Sequence, residues 1–239
     1  LIATEIKPFT LFVGSAKGGV GKSTVTLGLA KAMQRRGVSV GVIDADIHGP
    51  SLLTLANFEG RHVFSASKKI VPLIHEGIQY ISIGAIVPQY EAIAWRGVMA
   101  QRAVLQFLKD VDFNAIDVIL IDLPPGTSDI HFAVCQQTDP KAAILVSTPD
   151  QVGVNDTVRF YNFLKRMSID VCGIIYNMTH MSCPSCRHTI YLHDTHHSFP
   201  LNEVKILHQL PWSKDLSSHF DHIIQELSHH DYLSKFLIS

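Results

Sequence analysis

Runs of consecutive apolar residues recur along the chain, separated by segments of helical period. Phe9–Val13, Val38–Ile43, Val118–Asp122, Ala142–Ser147, Val171–Tyr176 and Val204–Leu207 are continuous rather than alternating. Such runs suit strands covered on both faces in a parallel sheet. Between them, Ser23–Arg36 sets Val25, Leu27, Leu29, Ala30 and Met33 at helical spacing, and Gly37 ends the segment. Met99–Leu108 and Val154–Met167 read in the same way. Strand–helix alternation of this kind predicts an α/β fold: a doubly wound, mostly parallel sheet flanked by helices, in one domain over residues 1–239. Residues 57–95 break the rhythm with short β-like pieces, Gly and Pro, and predict an irregular insertion with a small hairpin and a loop. Near the end, Asp221–Leu237 predicts a docked helix with Ile223, Ile224, Leu227, Phe236 and Leu237 facing inward.

Composition narrows the function classes. With 46% hydrophobic and 17% charged residues the 239-residue chain is not a disordered one. A formal net charge of −1 argues against a broad nucleic-acid-binding face. No apolar run reaches the ~18 residues that a membrane span needs, and the polar face of 221–237 carries Lys235 alone, so no membrane partner is expected. The first residues, LIATEIKPF, lack the charged-then-apolar order of a secretory signal, which points to the cytoplasm. Four cysteines do not make a disulfide framework, and two of them form a C-x-x-C pair, which favours metal or redox chemistry in a reducing compartment.

The strongest motif is GSAKGGVGKST at 14–24, between the first strand and the first helix. Glycines at 18, 19 and 21 let the backbone curl so that successive N–H groups point at phosphate oxygens. The helix N-terminus adds its positive end, Lys22 sets a point charge near the β- and γ-phosphates, and the Ser23 hydroxyl can ligate Mg²⁺. Residues Ala16, Lys17, Gly18, Gly19, Val20, Gly21, Lys22, Ser23 and Thr24 are therefore the predicted ATP-binding loop. Ala16 stands where the first Gly of the usual motif would be, and Lys17 lies inside the loop.

Two carboxylate segments follow in the order a phosphate site requires. IDADIHGPS at 43–51 ends a strand at Asp44 and sets Asp46 two residues on, where a carboxylate can orient water toward the γ-phosphate. VILIDLPPGTSD at 118–129 runs through four apolar residues to Asp122, beside the expected metal, and Pro124, Pro125 and Gly126 form a stiff turn. Lys17, Lys22 and Asp46 are the predicted catalytic groups, with Asp44 and Asp122 serving ATP and Mg²⁺.

The K-G-G-x-G-K-S-T form of the loop is similar to the deviant loop of ATPases that work as nucleotide-sandwich dimers, among them the MinD and ParA types and the nitrogenase iron protein. DADIHGPS, AWRG at 94–97, DLPPGTSD and GIIYNM at 173–178 more closely resemble the Mrp family of iron–sulfur cluster carrier ATPases, over about residues 9 to 186. The resemblance implies a homodimer in which Lys17 reaches the partner's phosphates. It also implies an adenine contact from Asn177 and apo iron–sulfur proteins as clients. On its own Asn177 is a polar residue at a strand end, where ligands bind in such sheets. Asp150 departs from the family, which tends to have Gln there.

MSCPSCRH at 181–188 puts Cys183 and Cys186 on a loop, with Pro184 stiffening the turn. One C-x-x-C supplies two ligands, whereas zinc or an iron–sulfur cluster usually takes four. A two-fold dimer would bring two pairs together, and the resemblance implies that this pair bridges a 4Fe–4S cluster between subunits. Zinc held within one chain by Cys183, Cys186 and two of His193, His196 and His197 is the alternative, as are plain redox thiols. Cys135 and Cys172 lie in apolar helix and strand contexts and are expected to be buried free thiols. Ten of the 14 histidines fall between His180 and His230, a density that a loop does not require. The reading is an ATP-dependent cluster carrier. Its rival, a MinD/ParA-type positioning ATPase, does not account for the cysteine pair, and neither does a metabolic P-loop ligase.

Overall fold

A computed structural model describes residues 8–46, 49–57, 63–64, 69–82, 98–126, 129–138, 141–193, 203–231 and 233–237. In chain order the elements are β1 (Phe9–Gly14), α1 (Lys22–Arg35), β2 (Val40–Asp44), α2 (Leu52–Leu55), β3 (Val63–Phe64), β4 (Ile70–Val71), β5 (Leu73–His75) and β6 (Ile78–Ser82). Then come α3 (Val98–Asp110), β7 (Val118–Asp122), α4 (Asp129–Gln137), β8 (Lys141–Ser147), α5 (Gln151–Arg166) and β9 (Asp170–Tyr176). The last are β10 (His180–Ser182), β11 (Thr189–Tyr191), β12 (Ile206–Gln209), α6 (Ser217–Leu227) and α7 (Ser234–Leu237).

An eight-stranded sheet runs in the order β12-β9-β8-β1-β7-β2-β6-β5, parallel except for β5. β1 sits inside it, hydrogen-bonded to β7 and β8, with all six residues buried, as its unbroken apolar run requires. Helices cover both faces. Val25, Leu29 and Met33 of α1 join Leu52, Phe220 and Ile223 over one face, while Val104, Val134, Phe160 and Leu164 cover the other. The α1–α6 contact is close: a Cβ on Gly28 would lie 2.1 Å from the Phe220 ring.

Three sequence expectations change in detail. The stretch 57–95 is not wholly an insertion, because Ile78–Ser82 is a strand of the main sheet, paired in parallel with β2 and antiparallel with β5. Gly77, at φ +77°, makes the tight turn between β5 and β6. The predicted small hairpin is the β3–β4 pair. The C-terminal helix starts earlier and stops sooner. The Asp215 carboxylate accepts from the Ser217 N–H where α6 begins, and the Ser228 hydroxyl donates to the Gln225 carbonyl where it ends. Ile223, Ile224, Leu227 and Leu237 are nonetheless buried, and Phe236 packs against the same core. Cys183 and Cys186 lie in the turn of an antiparallel hairpin, β10–β11. AWRG at 94–97 and the histidines at 196 and 197 lie outside the described residues.

Candidate nucleotide site and cysteine hairpin

Parallel strands β1, β2 and β7 end side by side, and the three predicted phosphate segments leave them together. Backbone bonds lock the segments to one another. The Ala45 N–H donates to the Asp122 carbonyl, that of Leu123 to Val13 and that of Gly126 to Ser15, at 3.0, 3.0 and 3.1 Å. Gly19 and Gly21 adopt φ of +79° and +85°, which curls the loop. Gly21 is the N-cap of α1, no side chain accepts from the first turn, and that turn holds no acidic residue. Its N–H groups are thus placed to donate to an anion.

A cavity of about 260 Å³ opens at this point. Ser15, Lys17, Gly18, Gly19, Gly21, Lys22, Ser23 and Thr24 line it from the loop, Asp46, Gly49 and Ser51 from the segment after β2, and Pro125 from the turn after β7. Lys17 is exposed, while Lys22 is buried. A second groove, of about 330 Å³, shares Thr24 and Leu55 with the first and has Leu27, Leu216 and Phe220 among its walls.

Asp122 lies beneath the loop, fully buried. It accepts from Lys22 Nζ at 2.7 Å, Ser23 Oγ at 2.6 Å and Thr26 Oγ1 at 3.0 Å. Burial pushes its carboxyl up, and the lysine charge and these donors pull it back. Asp44 accepts from the backbone N–H groups of Asp46, Ser51 and Leu52, and burial with the Asp122 charge beside it raises its carboxyl. Asp44 thus shapes the segment that presents Asp46, whose own carboxylate accepts from the Gly49 N–H at 3.1 Å.

The predicted residues divide by position. Lys17, Gly18, Gly19, Gly21, Lys22, Ser23, Thr24 and Asp46 line the cavity. Val20, Asp44 and Asp122 are buried behind its wall, and Ala16 packs against the core. Asn177 lines neither cavity. Its Nδ2 donates to the Val20 carbonyl at 2.9 Å and its amide abuts Gly21, so it braces the loop from the end of β9. Asp150 caps α5 by accepting from the Gly153 N–H and also contacts the Thr148 hydroxyl. Sequence reasoning missed Thr26, although it stands four residues after Lys22 on one face of α1. It also missed His131, which is fully buried and whose Nε2 lies 2.7 Å from the Pro124 carbonyl in the turn after β7.

Two residues separate Asn177 from β10, and the cysteine turn follows directly. The Cys183 N–H donates to the His188 carbonyl and the Arg187 N–H to the Cys183 carbonyl, at 2.9 and 2.8 Å. The backbone N–H groups of Cys186 and Ser185 face the Cys183 sulfur and hold its thiol below the ordinary value. Cys186 is exposed, whereas Cys135 is buried and burial pushes the Cys172 thiol up to about 12. Of the four cysteines the hairpin pair is thus the accessible one.

The family profile described as ParA, NUBPL iron-transfer P-loop NTPase matches residues 7–235. The chain belongs to that family. Among its relatives, the iron-sulfur cluster carrier protein of Aquifex aeolicus is 37% identical over 182 residues, 75% of this chain and 50% of that protein. The carrier protein of Methanocaldococcus jannaschii is 40% identical over 179 residues, 74% of this chain and 62% of that one. The iron-sulfur cluster transfer protein NUBPL of Mus musculus is 34% identical over 184 residues, covering 76% and 58%. The chain thus spans about half to three-fifths of the length of these relatives. A nucleotide-binding protein from Archaeoglobus fulgidus in complex with ADP aligns with a TM-score of 0.67 at 30% identity, over 95% of this chain and 91% of its own. MinD from Pyrococcus horikoshii, with Mg-ADP, shares the fold at a TM-score of 0.63 and 20% identity over 97% and 93%. Among the described residues, no helix is long and apolar enough to cross a membrane.

Proposed function

We propose that this NUBPL-family protein binds ATP at the β1–α1 loop and carries an iron–sulfur cluster on Cys183 and Cys186 for delivery to apo-proteins. The carrying observation is the cysteine hairpin: an accessible thiol pair, one of them acidified by backbone N–H groups, begins six residues after the asparagine that braces the phosphate loop. Relatives named as cluster carriers support the cargo, and the ADP-bound structural neighbour supports the nucleotide. Two thiolates leave a cluster half-ligated, so a second copy of the chain supplies the other pair, and 4Fe–4S is the cargo that four cysteines fit.

At the nucleotide site the loop N–H groups and Lys22 hold the phosphates. The oxygen donors Ser23 Oγ and Asp122 fit Mg²⁺, a hard cation that takes oxygen ligands. When bound, Mg²⁺ neutralises charge on the β- and γ-phosphates. Asp46 orients the attacking water, Lys17 reaches the phosphates of the partner copy, and slow hydrolysis couples to release of the cargo. The groove beside the cavity combines Leu27, Leu216 and Phe220 with Lys31, Arg35 and Lys214, and Asn177, whose amide keeps a second N–H and its oxygen beyond the bond to Val20, contacts the adenine base.

The test is anaerobic reconstitution of the protein and of Cys183→Ser/Cys186→Ser, with iron, sulfide and native mass measured together. The expected result is one cluster per two chains in the parent and none in the variant, with ATP affinity unchanged within about twofold. One zinc per monomer in the parent, or cluster loading that survives the double change, would overturn the assignment.

A further inference from the structure

The nucleotide site and the cysteine hairpin leave one part of the histidine-rich region unused, at the β12 edge of the sheet. His208 on β12 faces α6, where His219 and His222 stand three residues apart on one helical face. The His208 Nε2 and His219 Nδ1 atoms are 2.8 Å apart, and the two ring centroids 5.1 Å. The His222 ring lies 5.4 Å from that of His208 on its other side. Two ring nitrogens this close cannot both carry protons, so at least one presents a bare lone pair to the other. Partial burial, with His219 and His222 beside it, lowers His208, and partial burial with His180 of β10 lowers His219, which keeps lone pairs available. Glu226, one turn beyond His222 and in contact with Lys205, adds negative charge on the same side.

We propose that His208, His219 and His222 form a binding site for a divalent transition-metal ion of the zinc class, separate from the cysteine pair. Three neutral imidazoles from one strand and one facing helix are a donor set that zinc accepts, with the fourth position left to water. Among the described residues no three such groups already meet at one centre, so binding needs a local adjustment. Nitrogens on a tetrahedral zinc at about 2.0–2.1 Å stand roughly 3.3 Å apart, so the His208–His219 pair must open by about half an ångström and both rings must turn until their lone pairs meet at one centre instead of facing each other. His222 is exposed and can turn its ring to complete the set. The bound ion would clamp β12, an edge strand of the sheet, to the first half of α6.

The experiment uses the full chain with Cys183→Ser/Cys186→Ser, so that hairpin thiolates do not compete, and measures zinc by competition against a chromophoric chelator. One zinc per chain is expected. Adding His222→Ala should weaken binding at least tenfold, and His219→Ala/His222→Ala should abolish it. Zinc should raise the melting temperature of the parent that lacks the hairpin cysteines and keeps Cys135 and Cys172, and not that of the His222 variant. Because His222 is exposed, its replacement tests the site even where a change at His208 fails to fold. Failure to bind zinc at micromolar concentration, or binding that persists with all three histidines replaced, would overturn the site. Either outcome would leave cluster loading by the hairpin unaffected.

Discussion

Replacing Lys22 by alanine removes more than the proposed phosphate contact, because Lys22 Nζ is also the charge partner of a fully buried carboxylate. The variant keeps Asp122 with two hydroxyl donors and with Asp44 close by. If Asp122 stays ionised, breaking the buried pair costs about 3–5 kcal/mol. If it takes a proton instead, the cost at pH 7 is about 1.36 kcal/mol for each unit above its ordinary value near 4, or roughly 4 kcal/mol. The cheaper route sets the loss, so Lys22→Ala should lose about 3–4 kcal/mol, out of the ~5–15 kcal/mol that stabilise an ordinary domain. The pH dependence has a definite sign. Without the lysine the folded-state value of Asp122 rises further above its unfolded value, so the folded protein holds a proton that the unfolded chain releases. Stability of the variant then falls as pH rises from about 4 toward the folded value. The gap to the parent should accordingly narrow on going from pH 7 to pH 5. Urea unfolding without nucleotide, with the slope checked for constancy, reads both quantities. Adding Asp122→Asn to Lys22→Ala should recover part of the loss and flatten its pH dependence. An unfolding free energy within 0.5 kcal/mol of the parent at pH 7, or a gap that fails to narrow in acid, would refute the argument.

Asp46→Asn should still bind ATP, since Lys22 and the loop N–H groups are untouched, but should hydrolyse it at least tenfold more slowly; equal steady-state phosphate release would remove Asp46 from the water-orienting role. For the exposed Lys17, substitution by alanine should weaken ATP-driven dimerisation in sedimentation velocity by more than tenfold while changing nucleotide affinity of the monomer by less than threefold. A dimer of undiminished strength would argue against a contact across the subunits. Gly28→Ala should destabilise by about 1–3 kcal/mol in thermal unfolding, as the new methyl meets the Phe220 ring; a gain of about 1 kcal/mol would mean that helix propensity outweighs the clash.

Where a segment's surroundings are uniform, its sequence announces it. β1, β2 and β7 are covered on both faces, so their apolar runs mark them, and the glycines and lysine of the loop follow from what phosphate binding demands. β6 is harder to see, because the short β5 and the Gly77 turn before it read as part of a loop insertion, and its pairing with β2 and β5 is what sets it in the main sheet. The hairpin strands β10 and β11 are three residues each with exposed or half-buried side chains, so no hydrophobic pattern betrays them. Asn177 shows the limit most plainly. Its place at a strand end suggests a ligand contact, yet its Nδ2 meets the carbonyl of a residue 157 positions earlier, a closure that no local pattern encodes. The pairing of Lys22 with Asp122 and that of His208 with His219 are of the same kind: residue types hint at the chemistry, and the chain path decides the partners.

The strand order has a consequence for the chain as it emerges from the ribosome. β1 pairs with β7 and β8, so the strand that carries the phosphate loop has both neighbours more than a hundred residues downstream. β2 pairs with β7 and β6, and thus cannot shelter β1 in the meantime. During synthesis FTLFVG is an uncharged, β-prone hexapeptide without a pairing partner, the kind of segment that sticks to copies of itself or calls for a chaperone. The acceptor for Lys22 arrives on the same late strand, so a nascent chain that ends before residue 122 has the complete phosphate-loop motif and no fixed site. Nucleotide capture by this protein therefore reports that the middle of the sheet has closed, and a truncated or stalled product carrying the full motif would be expected to aggregate rather than compete for ATP.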